Sequence, residues 1–289
     1  MFNAECYEKI SGIVRGDIEN IENLLASVVP LDNMLCKSIV DFLSSSSKRI
    51  RSVLALLYLR AGGFSINQEV YKILALTELI HNASLIHDDV IDNDLIRRNE
   101  QSLNAKYNNK MAVISGDYML GIVMKKLTDL RKIELFEIFS KTINHMCEGE
   151  IIQYVNLNLI PSMDEYIEKT YKKTGALFES ALVAANFAVS GEIDFNAAEF
   201  GKNFGIAFQI NDDLKNVLDG AKDVKDGIYN APVIFSGGKN VTEAGIEKTK
   251  ILLNNYLENT RKYIENFENN VYKSKILELL ELFNGYRVD

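Results

Sequence analysis

Proline is scarce in this chain: Pro30, Pro161 and Pro232 are the only three in 289 residues. With so few breakers long helices are permitted, and amphipathic segments rich in Leu, Ile, Lys and Glu fill most of the sequence. The expected class is therefore all-α. Cysteine is equally sparse. Cys6, Cys36 and Cys147 are isolated and odd in number, which argues against a disulfide framework or a cysteine-held metal and fits a reducing, cytoplasmic setting. No segment reaches the roughly 18 uninterrupted apolar residues that a membrane helix needs. The opening MFNAECYEKI has early acidic residues and no apolar run, so neither a membrane span nor a signal peptide is expected. Positive charge is in deficit too: a formal net charge of -8 argues against nucleic acid as a main partner. Repeats and linkers are missing, and the serine run 44–47 is too brief to divide domains. What is present is a 47% hydrophobic, 25% charged composition. That suffices for a large core, and residues 1–289 are expected to form a single domain.

The most informative stretch is ELIHNASLIHDDVIDNDLIRR, from Glu78 to Arg98. Read as a helix, Glu78, His81, Leu85, Asp88 and Asp92 recur at alternating spacings of three and four and form one stripe that is not a core face. Carboxylates one turn apart, at Asp88 and Asp92 with Asp89 beside them, sit roughly 5–6 Å apart at Cβ and repel unless a cation lies between them. A hard divalent ion such as Mg²⁺ suits them, leaving coordination positions for water and phosphate oxygens. Arg97 and Arg98 follow, and guanidinium groups suit phosphate. Acids for a metal next to bases for phosphate imply a diphosphate substrate. A lone DDxxD reads equally well as a solvated acidic helix end, so the rest of the chain decides.

Helices are expected over 3–28, ending near Val29-Pro30, and over 32–43. The serines before Lys48 are expected to cap a helix with an apolar body from Val53 to Leu59, grouping Lys48, Arg49 and Arg51 in its first turn. Basic residues there oppose the helix dipole, and a bound anion would relieve the conflict. Further helices are expected from Ile66 to Asp92, from near Gly116-Asp117, and over the apolar-periodic segment 135–157. Glu150 and Gln153 on the last are readable as a satisfied core pair or as supports for a site. After Pro161 one helix carries Lys172, Lys173 and Thr174, where Lys173 either points into a cavity or snorkels to the surface. In FGIAFQINDDLKNVLDG, Gln209, Asp212, Asp213 and Asn216 share one helical face. Two Asp-Asp pairs on separate helices are more easily explained as facing across a shared metal site than as unrelated solvated ends. Residues 243–267 and 272–283 complete the helices.

Seven segments in order, SSKRIRS (46–52), HNASLIHDDVIDNDLIRRN (81–99), GDYML (116–120), GEIIQ (149–153), KTGALF (173–178), FQINDDLKN (208–216) and DGIYNAP (226–232), resemble the trans-type polyprenyl diphosphate synthases. That family's pattern runs GGKRxRP, HxASLIHDDxxDxxxxRRG, GDxLL, GExxQ, KT before LF, FQxxDDxxD and GKxTxP. The resemblance implies an all-α bundle whose two aspartate-rich helices face each other over a deep, central hydrophobic cavity, generally as a homodimer. It implies that Lys48, Arg51, His81 and Arg98 bind isopentenyl diphosphate. Asp88, Asp92 and Asp212 are implied as ligands of Mg²⁺, three ions per active site, with Asp89 and Asp213 in support. Arg97, Lys173 and Lys225 are implied to hold the allylic diphosphate, and Thr174 and Gln209 to aim oxygen dipoles at the carbocation. The implied reaction ionises the allylic C–O bond, adds the isopentenyl double bond to the cation, and loses a proton to the released diphosphate. Ala83 and Ser84 stand where relatives making short products carry aromatic residues. A medium or long all-trans product is therefore expected, with Met119 or Met124 setting a deeper limit.

The departures are at the first two glycines (serines here), at Ser52 for proline, at Asn99 for glycine, and at the second site. There Asn216 replaces the third aspartate, the loop to 223 is shortened, and Ile228 and Asn230 replace a lysine and a threonine. Those changes weaken a metal site and remove a phosphate contact. An active enzyme remains the expectation, with a partner subunit as a possible requirement. A non-catalytic regulatory subunit and a terpene cyclase are the other readings; a cyclase has no use for Lys48, Arg51, His81 and Arg98.

Overall fold

The computed structural model describes residues 4–29, 34–44 and 47–283. Helices follow one another along the chain: α1 (Ala4–Ser11), α2 (Arg15–Val28), α3 (Met34–Ser44), α4 (Ile50–Ala61), α5 (Gln68–Ile91), α6 (Leu103–Lys106), α7 (Asn109–Leu130), α8 (Ile133–Val155), α9 (Met163–Thr170), α10 (Ala176–Ser190), α11 (Phe195–Leu218), α12 (Lys222–Lys225), α13 (Ala231–Ser236), α14 (Glu243–Lys262) and α15 (Val271–Phe283). A two-residue hairpin, β1 (Ile96–Arg97) with β2 (Glu100–Gln101), is the sole sheet among the described residues. Side chains set several helix starts. Asn67, Asn108, Asp194 and Thr242 accept first-turn N–H groups of α5, α7, α11 and α14, and Ser162 with Glu165 forms a capping box on α9.

The packing follows from α10. Its sequence, ALFESALVAANFAVS, is apolar on nearly every face, so it is surrounded: α4, α5, α8 and α11 all pack on it. Phe178, Phe204 and Phe208 form a chain of ring contacts between α10 and α11, with centroids 5.3 Å apart in each pair with Phe178. One contiguous hydrophobic cluster runs from α1 to α15. The C-terminal parts of α5 and α11 both border the turn that leads into α10, where Lys173 lies in the field of Asp88 and Asp92 and Thr174 bonds Gln209.

Some expected boundaries differ. The first helix is broken by a 3₁₀ turn over Gly12–Val14, where Gly12 and Gly16 lower helix propensity. Pro30, Asp32, Ser45 and Ser46, on which the first helix's end, the second's start and the serine cap rested, lie outside the described residues. The N-cap of α4 is Arg49, in left-handed backbone conformation (φ 49°), with no side-chain cap. Helix α7 starts seven residues before Gly116, at Asn109. Gly116 is instead mid-helix, and its role is close packing: a Cβ there would lie 2.2 Å from His87 Nε2 of α5. Helix α14 stops at Lys262 rather than Phe267.

Candidate active site

The stripe on α5 changes character along its length. Glu78, at its start, is a core residue after all, 1% exposed. It accepts hydrogen bonds from Arg49 Nη1 (3.2 Å) and Ser52 Oγ (2.8 Å). Arg49 therefore turns inward, also donating to the Leu43 carbonyl at 2.5 Å, and leaves the basic group that the sequence suggested. His81 and Asp88 are half-buried and Asp92 is exposed. Burial, with Glu150 and Asp92 nearby, pushes the Asp88 carboxyl up to about 7, although Lys173 pulls the other way; burial raises Asp92 too.

Asp89 points elsewhere. Buried at 1% exposure, it accepts from Arg97 Nε at 2.7 Å and pairs with its Nη2. Arg97 also pairs with Asp94 at 3.5 Å. These bonds fasten the hairpin to the end of α5. The hairpin's central residues, Arg98 and Asn99, have φ of 53° and 65°, the positive pair that a type I′ turn requires. Asparagine tolerates that region, so Asn99 serves where the family pattern has glycine. The turn directs Arg98 back over the core, where Nη2 donates to Asn82 Oδ1 at 3.3 Å and the guanidinium lies 5.5 Å from the Phe42 ring.

Arg51, on the first turn of α4, completes a basic cluster with Arg98 around His81. Its guanidinium stacks 4.5 Å from the Phe178 ring centroid, and its Nε is buried with no hydrogen-bond partner. Burial lowers its pKa to about 10. Burial, then the charges of Arg51 and Arg98, holds the His81 imidazole well below its ordinary value, hence neutral at physiological pH. Lys48 is exposed and faces Lys215 and Asp212 of α11.

Between the acid pairs the chain makes a π-helical turn, Tyr171–Gly175, joining α9 to α10; such bulges are frequent at functional sites. Glycines admit it. A Cβ on Gly149 of α8 would lie 2.5 Å from the Lys173 backbone nitrogen, and one on Gly205 of α11 2.7 Å from Gly175 Cα. The turn places Lys173 in an ion pair with Glu150 and within the field of Asp88 and Asp92. Burial works against its charge, but Glu150 and Asp88 keep the ammonium above its ordinary pKa. Thr174 Oγ1 donates to Gln209 Oε1 (2.8 Å), Gln209 Nε2 to Asp213 Oδ1 (2.9 Å), and Tyr166 Oη to Asp213 Oδ2 (2.5 Å). Asp213 is thus buried and fully engaged, its carboxyl pushed up to about 6 by burial, while Asp212 is exposed.

A cleft of about 650 Å³ lies between the end of α5 and the segment after α11, lined by Asp92, Asp94 and Glu150 on one side and Lys222, Asp223 and Asp226 on the other; of the acids expected to hold metal, only Asp92 is in this lining. Lys222 reaches across to Asp94 at 3.1 Å. Lys225, singled out from the sequence, is exposed and outside this lining. Asn216 Nδ2 donates to Asp223 Oδ1 (2.8 Å) and accepts from the Asp223 N–H (3.2 Å), so it closes the shortened loop. No three acidic, histidine or cysteine side chains converge as a closed metal site among the described residues. The donor set nevertheless fits a hard cation. It is all carboxylate, Glu150 and Asp92 add to the upward push of burial on Asp88 as Asp212 does on Asp223, and an incomplete set is what Mg²⁺ held partly by phosphate oxygens and water requires.

Sequence reading missed Lys169, Tyr166, Asp94, Lys222 and Asp223, and left Glu150 undecided. Lys169 carried a signal, one helical turn before Lys173. Asp223 and Lys222 carried none, because the loop after α11 has no periodicity.

The family described as Polyprenyl synthetase matches residues 32–270. The octaprenyl diphosphate synthase of Escherichia coli (strain K12) is 32% identical over 244 residues, 79% of this chain and 74% of that protein. The decaprenyl-diphosphate synthase of Dictyostelium discoideum is 37% identical over 201 residues, 65% of this chain; the match spans only 43% of that longer protein. In fold, the decaprenyl diphosphate synthase of Rhodobacter capsulatus superposes with a TM-score of 0.87 at 20% identity, over 97% of this chain and 99% of that one. With the motifs, the helical fold and the paired acidic helix ends in agreement, the chain belongs to the polyprenyl synthetase family of prenyltransferases.

Proposed function

We propose that this chain condenses isopentenyl diphosphate head-to-tail with an allylic prenyl diphosphate, in a Mg²⁺-dependent reaction that yields a medium or long all-trans product. The observation that supports the reading is the acidic cleft: Asp92 and Asp94 at the end of α5 face Asp223 and Asp226 of the segment after α11 across one space, bridged by Lys222–Asp94, with Lys173 in the field of Asp88 and Asp92 and Asp212 in that of Asp223. Asp88, Asp92 and Asp212 are the groups to hold Mg²⁺, which when bound supplies positive charge to a leaving diphosphate.

Lys173 offers the allylic diphosphate an ammonium fixed by Glu150. Arg97 stays tied to Asp89 and Asp94, so its first task is to shape the hairpin that delivers Arg98. Arg51, Arg98 and neutral His81, with Lys48 at the rim, receive isopentenyl diphosphate; the unpartnered Arg51 Nε supports an anion there. Thr174 and Gln209 turn oxygen dipoles toward the cation formed when the allylic C–O bond breaks. The isopentenyl double bond then forms the new C–C bond, and the freed diphosphate takes the proton. No enzymatic nucleophile is needed.

Product length follows from α5. Ala83 is buried and small, and Ser84 bonds its own helix, donating to the His81 carbonyl at 2.8 Å. Toward the helix N-terminus a pocket of about 210 Å³ lies among Leu24, Val28, Leu76, Leu79 and Leu130, with Lys72, Lys126 and Asp129 also in its lining; its apolar side supports a chain running past Ala83. Val113, Ile114 and Tyr118 leave an exposed apolar patch on α7, in keeping with a homodimer.

The test is to incubate the purified chain with Mg²⁺, farnesyl diphosphate and labelled isopentenyl diphosphate and to size the products. A ladder ending at one long product is expected, with Asp88→Ala reducing turnover by at least about 10²-fold. No product from the chain alone would point instead to dependence on a partner subunit.

A further inference from the structure

Three lysines mark the segment from α9 into the π turn. Lys172 pairs with Glu148 and Glu168 at 3.0 and 2.8 Å, and Lys173 pairs with Glu150. Lys169, half-buried, makes no ion pair among the described residues; its ammonium lies 5.2 Å from the ring centroid of Tyr166. The charges it faces are Asp213, Lys173, Asp223 and Glu150. The two aspartates already have neutral donors. Asp213 accepts from Tyr166 and Gln209, and Asp223 from the amides of Asn216 and Asn230.

The niche holding Lys169 is also lined by Gln153, Ile228 and Tyr229. Gln153 and Ile228 line the acidic cleft as well, so the two spaces share a wall. Ile228 stands where the resemblance expects a phosphate-binding lysine. A cation drawn partly out of water without a bonded anion is unfavourable unless a ligand supplies that anion.

We propose that Lys169 is a substrate-binding residue for the allylic diphosphate, reaching it from α9 and restoring the positive charge that Ile228 removes from the loop. This rests on the prenyl-transfer reading above. It assigns the allylic site a cation from a different element than the family pattern does, and it makes the isoleucine tolerable.

The experiment is calorimetric titration of inorganic diphosphate with Mg²⁺ into the wild type, Lys169→Met, Lys169→Arg, Ile228→Lys and the Lys169→Met/Ile228→Lys double variant, alongside KM values for both substrates. Lys169→Met is expected to weaken diphosphate binding and raise the KM for farnesyl diphosphate about tenfold, as for one lost charge-assisted hydrogen bond. The KM for isopentenyl diphosphate stays within about twofold. Lys169→Arg keeps most of the binding, and Ile228→Lys recovers it in the double variant. Unchanged binding in Lys169→Met overturns the proposal. So does a loss that Ile228→Lys fails to recover, which would make Lys169 a counter-charge for Asp213 alone. If the wild type neither binds Mg²⁺-diphosphate nor elongates, the prenyl-transfer reading falls as well; if it does both while Lys169→Met is silent, only the present inference falls.

Discussion

Replacing Glu78 with alanine is a direct test of how the basic side of the site is built. Glu78 and Arg49 are 2% and 3% exposed at their side chains and 3.2 Å apart. Without Glu78, the buried guanidinium keeps the Leu43 carbonyl and a 3.8 Å approach to the half-exposed Glu22. Stranding one charge of a buried pair costs about 3–5 kcal/mol, a large part of the roughly 5–15 kcal/mol that holds a domain folded. Thermal melts of Glu78→Ala should show a loss on the order of 10 °C in Tm. The double variant Arg49→Met/Glu78→Met removes both charges and should recover most of that loss, because the desolvation penalty disappears with the pair. A Glu78→Ala cost below about 1 kcal/mol, or a double variant no better than the single, would refute the assignment of this pair as a buried and mutually dependent unit.

Other consequences are equally checkable. Because the folded-state pKa of Asp213 is raised to about 6, the native state binds its proton more tightly than the unfolded chain. Stability from this group is therefore greatest in acid and declines as pH rises from about 4 to 6, by on the order of 3 kcal/mol. Urea midpoints measured in chelator should show Asp213→Asn flattening that slope. Gly149→Ala places a methyl 2.5 Å from the Lys173 backbone nitrogen; it should cost about 1–3 kcal/mol by overpacking and raise the KM for the allylic substrate, seen in melts and steady-state kinetics. Ala83→Phe should shorten the product, with unchanged length in extracted products counting against the open path along α5.

The helical class and both acid pairs were legible in the sequence because they depend on local quantities: few prolines, a 3.6-residue periodicity, and acids three and four apart. The sequence shows Asn99 in place of the family pattern's glycine, and only the structure, with Asn99 in the left-handed region that asparagine tolerates, gives the reason it fits there. Less legible was the interior of each motif. Lys48, Arg49 and Arg51 look alike as a basic run, yet one faces Asp212, one is buried on Glu78 and one stacks on Phe178. Asp212 and Asp213 are adjacent, but the first is exposed and the second is enclosed by Tyr166, Gln209 and Lys169.

Residue types and their spacing alone determined that this is an all-helical chain with two carboxylate pairs and bases suited to diphosphate. Packing of α9, the π turn and the loop after α11 determined which charges meet in the cleft, brought Glu150 into it and Lys169 into the niche that shares its wall, and left Lys225 outside. The physical reason is that neighbouring helical residues point about 100° apart. A run of like charges is therefore divided among core, cleft and solvent by the positions of neighbouring helices, and those positions depend on contacts between residues far apart in the chain.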